Sequence, residues 1–146
     1  AGAFGAAQAL FFTLVLLPFG VRIDAGPVGL FVIVLSGALT GMAIGGFMAA
    51  MGLRTGSSEA VQGSFPLLFI ALFFSSAFFP RQTMQGVYQQ IANVNPISYL
   101  VEGIRGLVIE GLTLKNVAQA LLVPIGIGIV SFTIALRTLR RRLAAR

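Results

Sequence analysis

The fold is decided by residues 69–111, FIALFFSSAFFPRQTMQGVYQQIANVNPISYLVEGIRGLVIEG. The stretch begins as an apolar run that suits lipid, and this run stops at Pro80 and Arg81. A segment rich in glutamine and asparagine follows. A second helix is then predicted to begin at Asn95, because Asn is a good N-cap and Pro96 suits the first helical position. The stretch therefore predicts a membrane span that ends abruptly and is followed by a polar helical hairpin.

The composition places the whole chain among integral membrane proteins. Of its 146 residues, 57% are hydrophobic and only 10% are charged, and the mean hydropathy is +0.95. A soluble domain of this length needs many more charged side chains to cover its surface. Four stretches without any charged residue are each about 20 residues or longer, which is the length of a helix that crosses roughly 30 Å of hydrocarbon. They cover residues 1–21, 25–53, 60–80 and 116–136.

The predicted fold is an all-α membrane protein with four transmembrane helices and an outward helical hairpin between the third and fourth. The hairpin, residues 81–111, is too polar and its helices too short for further spans, which favours a re-entrant or interfacial position. Because the sequence begins without Met, we expect it to be the C-terminal part of a longer protein. The four spans are predicted at about residues 3–20, 27–53, 63–79 and 112–136, and a basic tail at 137–146.

Close helix packing is predicted in the second and fourth spans. Gly37, Gly41 and Gly45 share one helix face at four-residue spacing, and small residues let two backbones approach closely in lipid. The stripe fits packing within the chain, which is the commoner case, or a subunit interface. Pro124 is expected to kink the last span and to leave a carbonyl group that the rest of the bundle must satisfy.

The basic residues predict the orientation of the chain. Lys and Arg near helix ends prefer the cytoplasmic side. In a four-span chain the tail 137–146 and the loop at Arg54 fall on the same side, and together they hold six of the ten basic residues. We therefore expect the C-terminus in the cytoplasm, at a plasma (inner) membrane, and the hairpin outside.

The sequence shows no constellation of catalytic residues. It has neither Cys nor His, and so lacks a thiol nucleophile, the usual general base and the commonest metal ligand. The four carboxylates stand in separate segments, and no GxxxxGK[ST] loop is present to hold a nucleotide. We expect no metal site and no cofactor on this chain. The basic residues lie at membrane edges rather than on an aromatic-rich face, so nucleic acid is not an expected partner.

Two groups of residues are candidate sites in the loop and the third span. The loop residues Arg54, Ser57, Ser58 and Glu59 form either a plain turn, with Ser57 as a helix cap, or a docking surface for a cytoplasmic partner. Phenylalanines of the third span either line the path of an apolar substrate or contact lipid and core. These are Phe69, Phe73 and Phe74.

The hairpin carries the third candidate site. Glu102 and Arg105 stand three residues apart on an otherwise apolar helix, where residues at this spacing are neighbours. They form either an exposed ion pair, worth roughly 0–1 kcal/mol, or part of a gate at the outer side.

Three motifs together make the chain resemble the C-terminal half of a type 2 ABC exporter permease. They are SSAFFP at residues 75–80, NPISY at residues 95–99, and Arg105. The family is that of the daunorubicin-resistance-like and polysaccharide-exporting membrane subunits, and the resemblance covers about residues 54–142. Ala77 stands where the family frequently has Gly, and Phe74 is bulkier than usual.

The resemblance implies a protein of six spans, of which this chain supplies the last four. It implies a dimer with a second permease copy or a homologous permease, driven by cytoplasmic ATP-binding-cassette ATPase subunits that bind ATP and Mg. The loop residues would contact the ATPase, and the substrate would be a hydrophobic or lipid-like compound such as a drug, lipid or glycolipid. The outer gate would contain Asn95, Pro96, Tyr99, Glu102 and Arg105. The alternatives are a secondary carrier or channel that needs no ATP, and a membrane scaffold that transports nothing.

Overall fold

Residues 1–144 form an all-helical structure without strands in the computed structural model, which confirms the predicted fold class. Residues 145 and 146, the end of the predicted tail, lie outside the described part of the chain. Short 3₁₀ turns lie at Leu17–Phe19 and Arg81–Thr83. The described α-helices are α1 (Gly2–Leu16), α2 (Gly26–Thr55), α3 (Ser58–Gly63), α4 (Phe65–Phe73), α5 (Gly86–Val94), α6 (Pro96–Ile109) and α7 (Leu114–Ala144).

Three of these helices are long and apolar enough to cross a membrane. They are Gly2–Phe19, which joins α1 to its 3₁₀ turn, and the helices α2 and α7 of 30 and 31 residues. At 1.5 Å per residue, α2 and α7 are about 45 Å long and exceed the hydrocarbon thickness. The chain is therefore a multi-pass membrane protein whose two longest helices are longer than the hydrocarbon is thick.

The third predicted span, residues 63–79, is helical only in part. The apolar helical run Ser58–Phe73 is shorter than 18 residues, is interrupted at Ser64 between α3 and α4, and gives way to turns after Phe73. The Ser75 hydroxyl donates to the Leu72 carbonyl at 2.5 Å, a local bond that competes with helical pairing. The number of spans stays a prediction.

The glycines of α2 bring α1 very close. A Cβ atom on Gly37 would lie 2.8 Å from the carbonyl oxygen of Gly5, and one on Gly41 would lie 2.8 Å from that of Ala1. No side chain fits between backbones at this distance, so the stripe lies in an α1–α2 contact within the chain. A Cβ on Gly45 would likewise meet the Ala1 side chain, at 2.8 Å.

Helix α7 packs along α2 and α6 and runs without interruption through Pro124. Because proline lacks an N–H group, the carbonyl of Ala120, four residues earlier, loses its helical donor. The Ser36 hydroxyl on α2 donates to this carbonyl at 2.7 Å, and both residues are fully buried. The expectation that the bundle satisfies the freed carbonyl is confirmed.

Different loops lie at the two ends of the helical bundle. At the basic end, Arg142 Nη2 donates to the Arg54 carbonyl at 3.4 Å, so the Arg54 loop and the end of α7 lie together. At the hairpin end, the N–H groups of Asp24 and Ala25 donate to carbonyls at the end of α6, each at 3.1 Å. The loop before α2 and the end of the hairpin therefore meet opposite the basic end.

Candidate functional site

The hairpin formed by α5 and α6 enters the bundle. Near the hairpin end, Gly106 packs against the side chain of Asn116 in the first turn of α7, where a Cβ atom would lie 2.4 Å from the carboxamide. The start of α6 reaches further, since Ile97 lines the same cavity as Pro124 and Ile127. With 14 residues in α6, its first turn lies about 20 Å from the hairpin end.

Side chains of the hairpin donate hydrogen bonds to carbonyl groups at the end of α4. Asn95 Nδ2 donates to the Ala71 carbonyl at 2.6 Å, and the Tyr88 hydroxyl donates to the Phe73 carbonyl at 2.5 Å. Asn95 Oδ1 also accepts from the Ile97 N–H at 3.0 Å, which makes it the predicted N-cap of α6. Asn95 thus caps the N-terminus of α6 and donates a hydrogen bond to a carbonyl group near the end of α4.

The turns after α4 depend on α6 in the same way. Ser76 and Ser98 are fully buried and bond reciprocally: the Ser76 N–H donates to Ser98 Oγ at 3.1 Å, and Ser76 Oγ donates to the Ser98 carbonyl at 2.9 Å. Arg105 Nη2 donates to the Ser76 carbonyl at 2.8 Å and to the Ala77 carbonyl at 3.4 Å. Irregular backbone among membrane helices is tolerated only where protein groups or water satisfy it. The hydrogen bonds from Ser98 and Arg105 satisfy the irregular backbone at residues 76 and 77 in this way.

Glu102 pairs with Arg81, not with Arg105. The two bonds are Arg81 Nε to Glu102 Oε1 at 2.6 Å and Nη2 to Oε2 at 2.5 Å, and this is the only salt bridge within residues 1–144. The interpretation of Glu102 and Arg105 as an ion pair was therefore wrong. The guanidinium of Arg81 matches a carboxylate with two parallel bonds, whereas that of Arg105 serves backbone carbonyls.

The Arg81–Glu102 pair is enclosed by the hairpin. The guanidinium carbon of Arg81 lies 4.4 Å from the centre of the Tyr99 ring, a distance that allows cation–π attraction. Both charged side chains are about four-fifths buried, with exposures of 20% and 19%. Tyr99 in turn donates its hydroxyl to the Asn93 carbonyl at 2.7 Å.

The structure brings four of the five predicted gate residues into this network, while Pro96 occupies the first turn of α6 with an exposed ring. Sequence reasoning did not assign partners to Arg81, Tyr88 or Ser98, each of which contacts a group more than ten residues away. One feature of the sequence could have indicated these contacts: an apolar run that ends without a helix-capping residue and is followed directly by polar residues.

An apolar cavity of about 620 Å³ lies beside the hairpin, between α1, α2, α4, α6 and α7. Its wall has no charged side chain, and its polar side chains are Gln8 and Thr40. Phe69 lines it, and the role of this residue in a substrate path stays a prediction. Phe73 and Phe74 instead contact hairpin and turn residues, with ring centres 5.0 Å from Phe78 and 5.5 Å from Tyr88, respectively.

The loop at the basic end has an ordered, exposed structure. Ser57 caps α3 by accepting the Ala60 N–H at 3.3 Å, as the sequence predicts, and its hydroxyl donates to Glu59 Oε2 at 2.5 Å. The bond from Ser57 lowers the pKa of Glu59, because the hydroxyl stabilises the ionised carboxylate. Arg54 and Ser58 are also exposed. The role of the loop in docking stays a prediction.

Comparison with known families extends the resemblance toward the N-terminus. A family described as ABC-2 type transporter matches residues 1–109. This range includes α1 and α2, which the motif resemblance over residues 54–142 covered only at the very end of α2, and it finishes at the last residue of α6. No curated protein and no solved structure matches the chain.

Proposed function

The chain belongs to the ABC-2 type transporter family and is a membrane-spanning permease, and from this premise we propose that it exports a hydrophobic or lipid-like compound with energy from ATP. A separate cytoplasmic ATP-binding-cassette ATPase binds and hydrolyses ATP with Mg. A second copy of the permease, or a homologous one, completes the dimer. The protein lies in the plasma (inner) membrane with its C-terminus in the cytoplasm, and the substrate is a drug, lipid or glycolipid.

The cavity carries the proposal of an apolar substrate. Its volume of about 620 Å³ lies within the range of roughly 300–1,000 Å³ that is typical of small-molecule sites. A charged compound would lose its hydration there without meeting an opposite charge, which is costly. A largely apolar compound has no such cost, and Gln8 and Thr40 provide hydrogen bonds for one or two polar groups.

Helix α2 joins the proposed docking loop to this cavity. The loop residues follow directly from the C-terminal end of α2 at Thr55, while Thr40, Gly41 and Ile44 of the same helix line the cavity. A rigid helix can transmit an axial or tilting displacement from one of its ends to residues further along it. Movement of an ATPase bound at Arg54 and Glu59 would therefore change the shape of the cavity through α2.

The hairpin is the proposed gate at the opposite end. Its side chains hold the turns after α4, and α6 forms part of the cavity wall through Leu100, Val101 and Ile104. A displacement of α6 would therefore open the cavity and at the same time break the bonds from Arg105 and Ser98 to residue 76. These bonds favour the closed position.

The first experiment is purification of the full-length protein from native membranes in mild detergent, followed by mass spectrometry and flux measurements in proteoliposomes. We expect a stoichiometric subunit with a nucleotide-binding P-loop, and flux of a lipophilic compound that requires ATP. Flux without ATP and without such a subunit would identify a secondary carrier or channel. A bound ATPase without any flux would identify a scaffold.

Filling the cavity should block transport. Leu68 lines the cavity, whereas Leu67 on the same helix is 55% exposed and does not. We expect Leu68→Trp to reduce ATP-driven flux at least tenfold, because the indole occupies space needed by substrate, and Leu67→Trp to leave flux within about twofold of the wild type. Equal flux in the two variants, both still bound to the ATPase, would refute the cavity as the substrate site.

A further inference from the structure

Two polar side chains interrupt the apolar wall of the cavity, Gln8 on α1 and Thr40 on α2. Within residues 1–144, the Thr40 hydroxyl forms no hydrogen bond, although a threonine in a helix commonly donates to the carbonyl four residues earlier. The other threonines of the α-helices make this bond, at distances between 2.6 and 2.9 Å. They are Thr13, Thr55, Thr133 and Thr138.

The hydroxyl of Thr40 is also not sealed inside the protein. Among residues 1–144, the one buried side-chain nitrogen or oxygen atom without a partner is Gln119 Oε1. Thr40 is half-buried and lines the cavity, so its unbonded hydroxyl lies open to the cavity. A polar group in apolar surroundings is unfavourable until it is hydrogen-bonded, and a molecule in the cavity can provide this bond.

The two polar side chains stand near each other and far from the ends of the bundle. Gly5 and Gly37 lie in the close contact of α1 with α2, and Gln8 and Thr40 each come three residues after one of these glycines. At 1.5 Å per residue, they are within about two helical turns of each other along the bundle. Thr40 is also the midpoint of α2, which extends over Gly26–Thr55. The pair therefore forms a small polar patch at mid-depth.

We propose that the exported compound is an uncharged lipid with one chain and a hydroxyl-bearing head, and that Thr40 and Gln8 bind this head. A hydroxyl and a carboxamide each donate and accept hydrogen bonds, and so match the hydroxyl groups of the head. An ionised head would lose its hydration in a cavity whose wall has no charged side chain, which is costly. The inference rests on the proposed function, because it takes the cavity as the site of the exported compound.

The size of the cavity favours a lipid with a single chain. At about 30 Å³ for a group as large as a water molecule, its volume of about 620 Å³ holds roughly twenty such groups. This is enough for a small head and one chain, but not for two acyl chains with a phosphate-bearing head. The apolar part of the wall, which includes Phe69, Leu72 and Val101, contacts the chain.

The test is photolabelling of the full-length protein in phosphatidylcholine nanodiscs. Three probes have the same diazirine-bearing chain and differ only in the head, which is a glyceryl ether, a methyl ether or a carboxylate. Mass spectrometry locates the labelled residues. We expect the glyceryl ether to label Phe69, Leu72 and Val101 at least about fivefold more than the carboxylate does, because the wall offers hydrogen bonds and no positive charge.

Replacement of Thr40 distinguishes binding of the head from binding of the chain. Thr40→Val keeps the shape of the side chain and removes the hydroxyl, so labelling by the glyceryl ether should fall about fivefold, while labelling by the methyl ether should change by less than about twofold. Gln8→Leu should act in the same direction, and Thr40→Ser should keep most of the labelling. Thr133→Val is the matched control, because the Thr133 hydroxyl bonds to the Ile129 carbonyl outside the cavity; it should affect neither probe.

Equal labelling of the cavity by the glyceryl ether and the carboxylate, or an equal fall for both ethers in Thr40→Val, would overturn the inference. Absence of label from the cavity with all three probes would show that other parts of the full-length protein fill it, and would overturn the inference as well. ATP-driven flux in the same preparation tests the proposed function separately. Flux without selectivity for the head would refute this inference alone, whereas selective labelling without flux would support the binding site and refute export.

Discussion

The hydroxyl group of Ser36 supplies a hydrogen bond that helix α7 cannot make for itself. Pro124 removes the helical donor to the Ala120 carbonyl, and Ser36, which is distant in sequence, replaces it. Serine is small enough to lie in the close contact of α2 with α7. A buried polar atom that loses its partner costs more than the bond itself contributes, so the serine and the proline should be energetically coupled.

The coupling can be measured with a double-mutant cycle. Ser36→Ala should reduce the free energy of unfolding by about 1–3 kcal/mol, because the buried Ala120 carbonyl is left without a donor. In a Pro124→Ala background the N–H at position 124 returns, and the cost of Ser36→Ala should fall by about 1 kcal/mol. Denaturant unfolding in detergent measures all four proteins. Additive effects would show that Ser36 contributes nothing specific to the proline site.

Arg105 bonds directly to the backbone of the irregular turns after α4. Its guanidinium serves two consecutive carbonyl oxygens, those of Ser76 and Ala77. Bonds from charged donors are stronger than those between neutral groups. The predicted role of Arg105 in a gate therefore has a physical basis, since its loss frees the segment that joins the third apolar helix to the hairpin.

Arg105→Ala should lower the free energy of unfolding by about 2 kcal/mol and reduce transport while binding of the ATPase persists. Arg105→Lys should restore part of the loss, because one ammonium cannot reproduce the planar fork. The exposed Arg22 provides the charge-matched control, and Arg22→Ala should change neither quantity. Unchanged transport in Arg105→Ala would remove Arg105 from the gate.

The hairpin is stabilised as an element by contacts that connect it to the segment before it. The ion pair of Arg81 and Glu102 spans the connection between the turns and α6, whereas Glu102 and Arg105 share a helix without pairing. At exposures near one-fifth the pair is shielded from water more than a surface pair is. Breaking it should therefore cost more than the roughly 0–1 kcal/mol of an exposed pair.

Two double-mutant cycles distinguish the pairs. Alanine substitutions at Arg81 and Glu102 should show a coupling energy of about 1–3 kcal/mol, because each charge loses the same partner. The corresponding cycle for Glu102 and Arg105 should give less than about 0.5 kcal/mol. Unfolding in detergent provides both values. A larger coupling in the second cycle would mean that Glu102 changes partner in the membrane.

At the scale of the whole molecule, the two ends of the bundle carry very different charge. The basic end holds Arg54 and four arginines of α7, with Glu59 as the acidic residue nearby, while the hairpin end holds acidic and basic residues together. Positively charged helix ends are retained in the cytoplasm during insertion. This difference is the physical basis of the proposed orientation.

The absence of cysteine from the sequence makes the orientation directly measurable. Single cysteines at Ser58 and Ala144 of the basic end should react with a membrane-impermeant maleimide only in permeabilised cells. A cysteine at Leu112 of the hairpin end, which is 52% exposed, should react in intact cells. The reverse labelling pattern would invert the proposed topology, and each variant should retain ATPase binding to be counted.

The sequence by itself determined the class of the protein and the helix start at Asn95, and it predicted apolar helices where α2 and most of α7 lie, although α7 continues to Ala144, eight residues beyond the predicted end at 136. These features follow from local properties, namely apolar length, capping chemistry and the spacing of small residues. The common end of the Arg54 loop and the basic segment of α7 was also predicted from the order of the charges along the chain, and the contact of Arg142 with the Arg54 carbonyl agrees with it.

Only the tertiary structure decided where the third apolar helix ends and which residues hold the hairpin. The partners of Ser76, Glu102 and Arg105 lie between 21 and 29 residues away along the chain, and spacing on one helix says nothing about such contacts. Periodicity brought Glu102 and Arg105 together, but the freed carbonyls at residues 76 and 77 take the Arg105 guanidinium. Carbonyl groups beyond the end of a helix, among apolar neighbours, need hydrogen-bond donors from other parts of the fold. These donors come from residues distant in sequence, so only the tertiary structure identifies them.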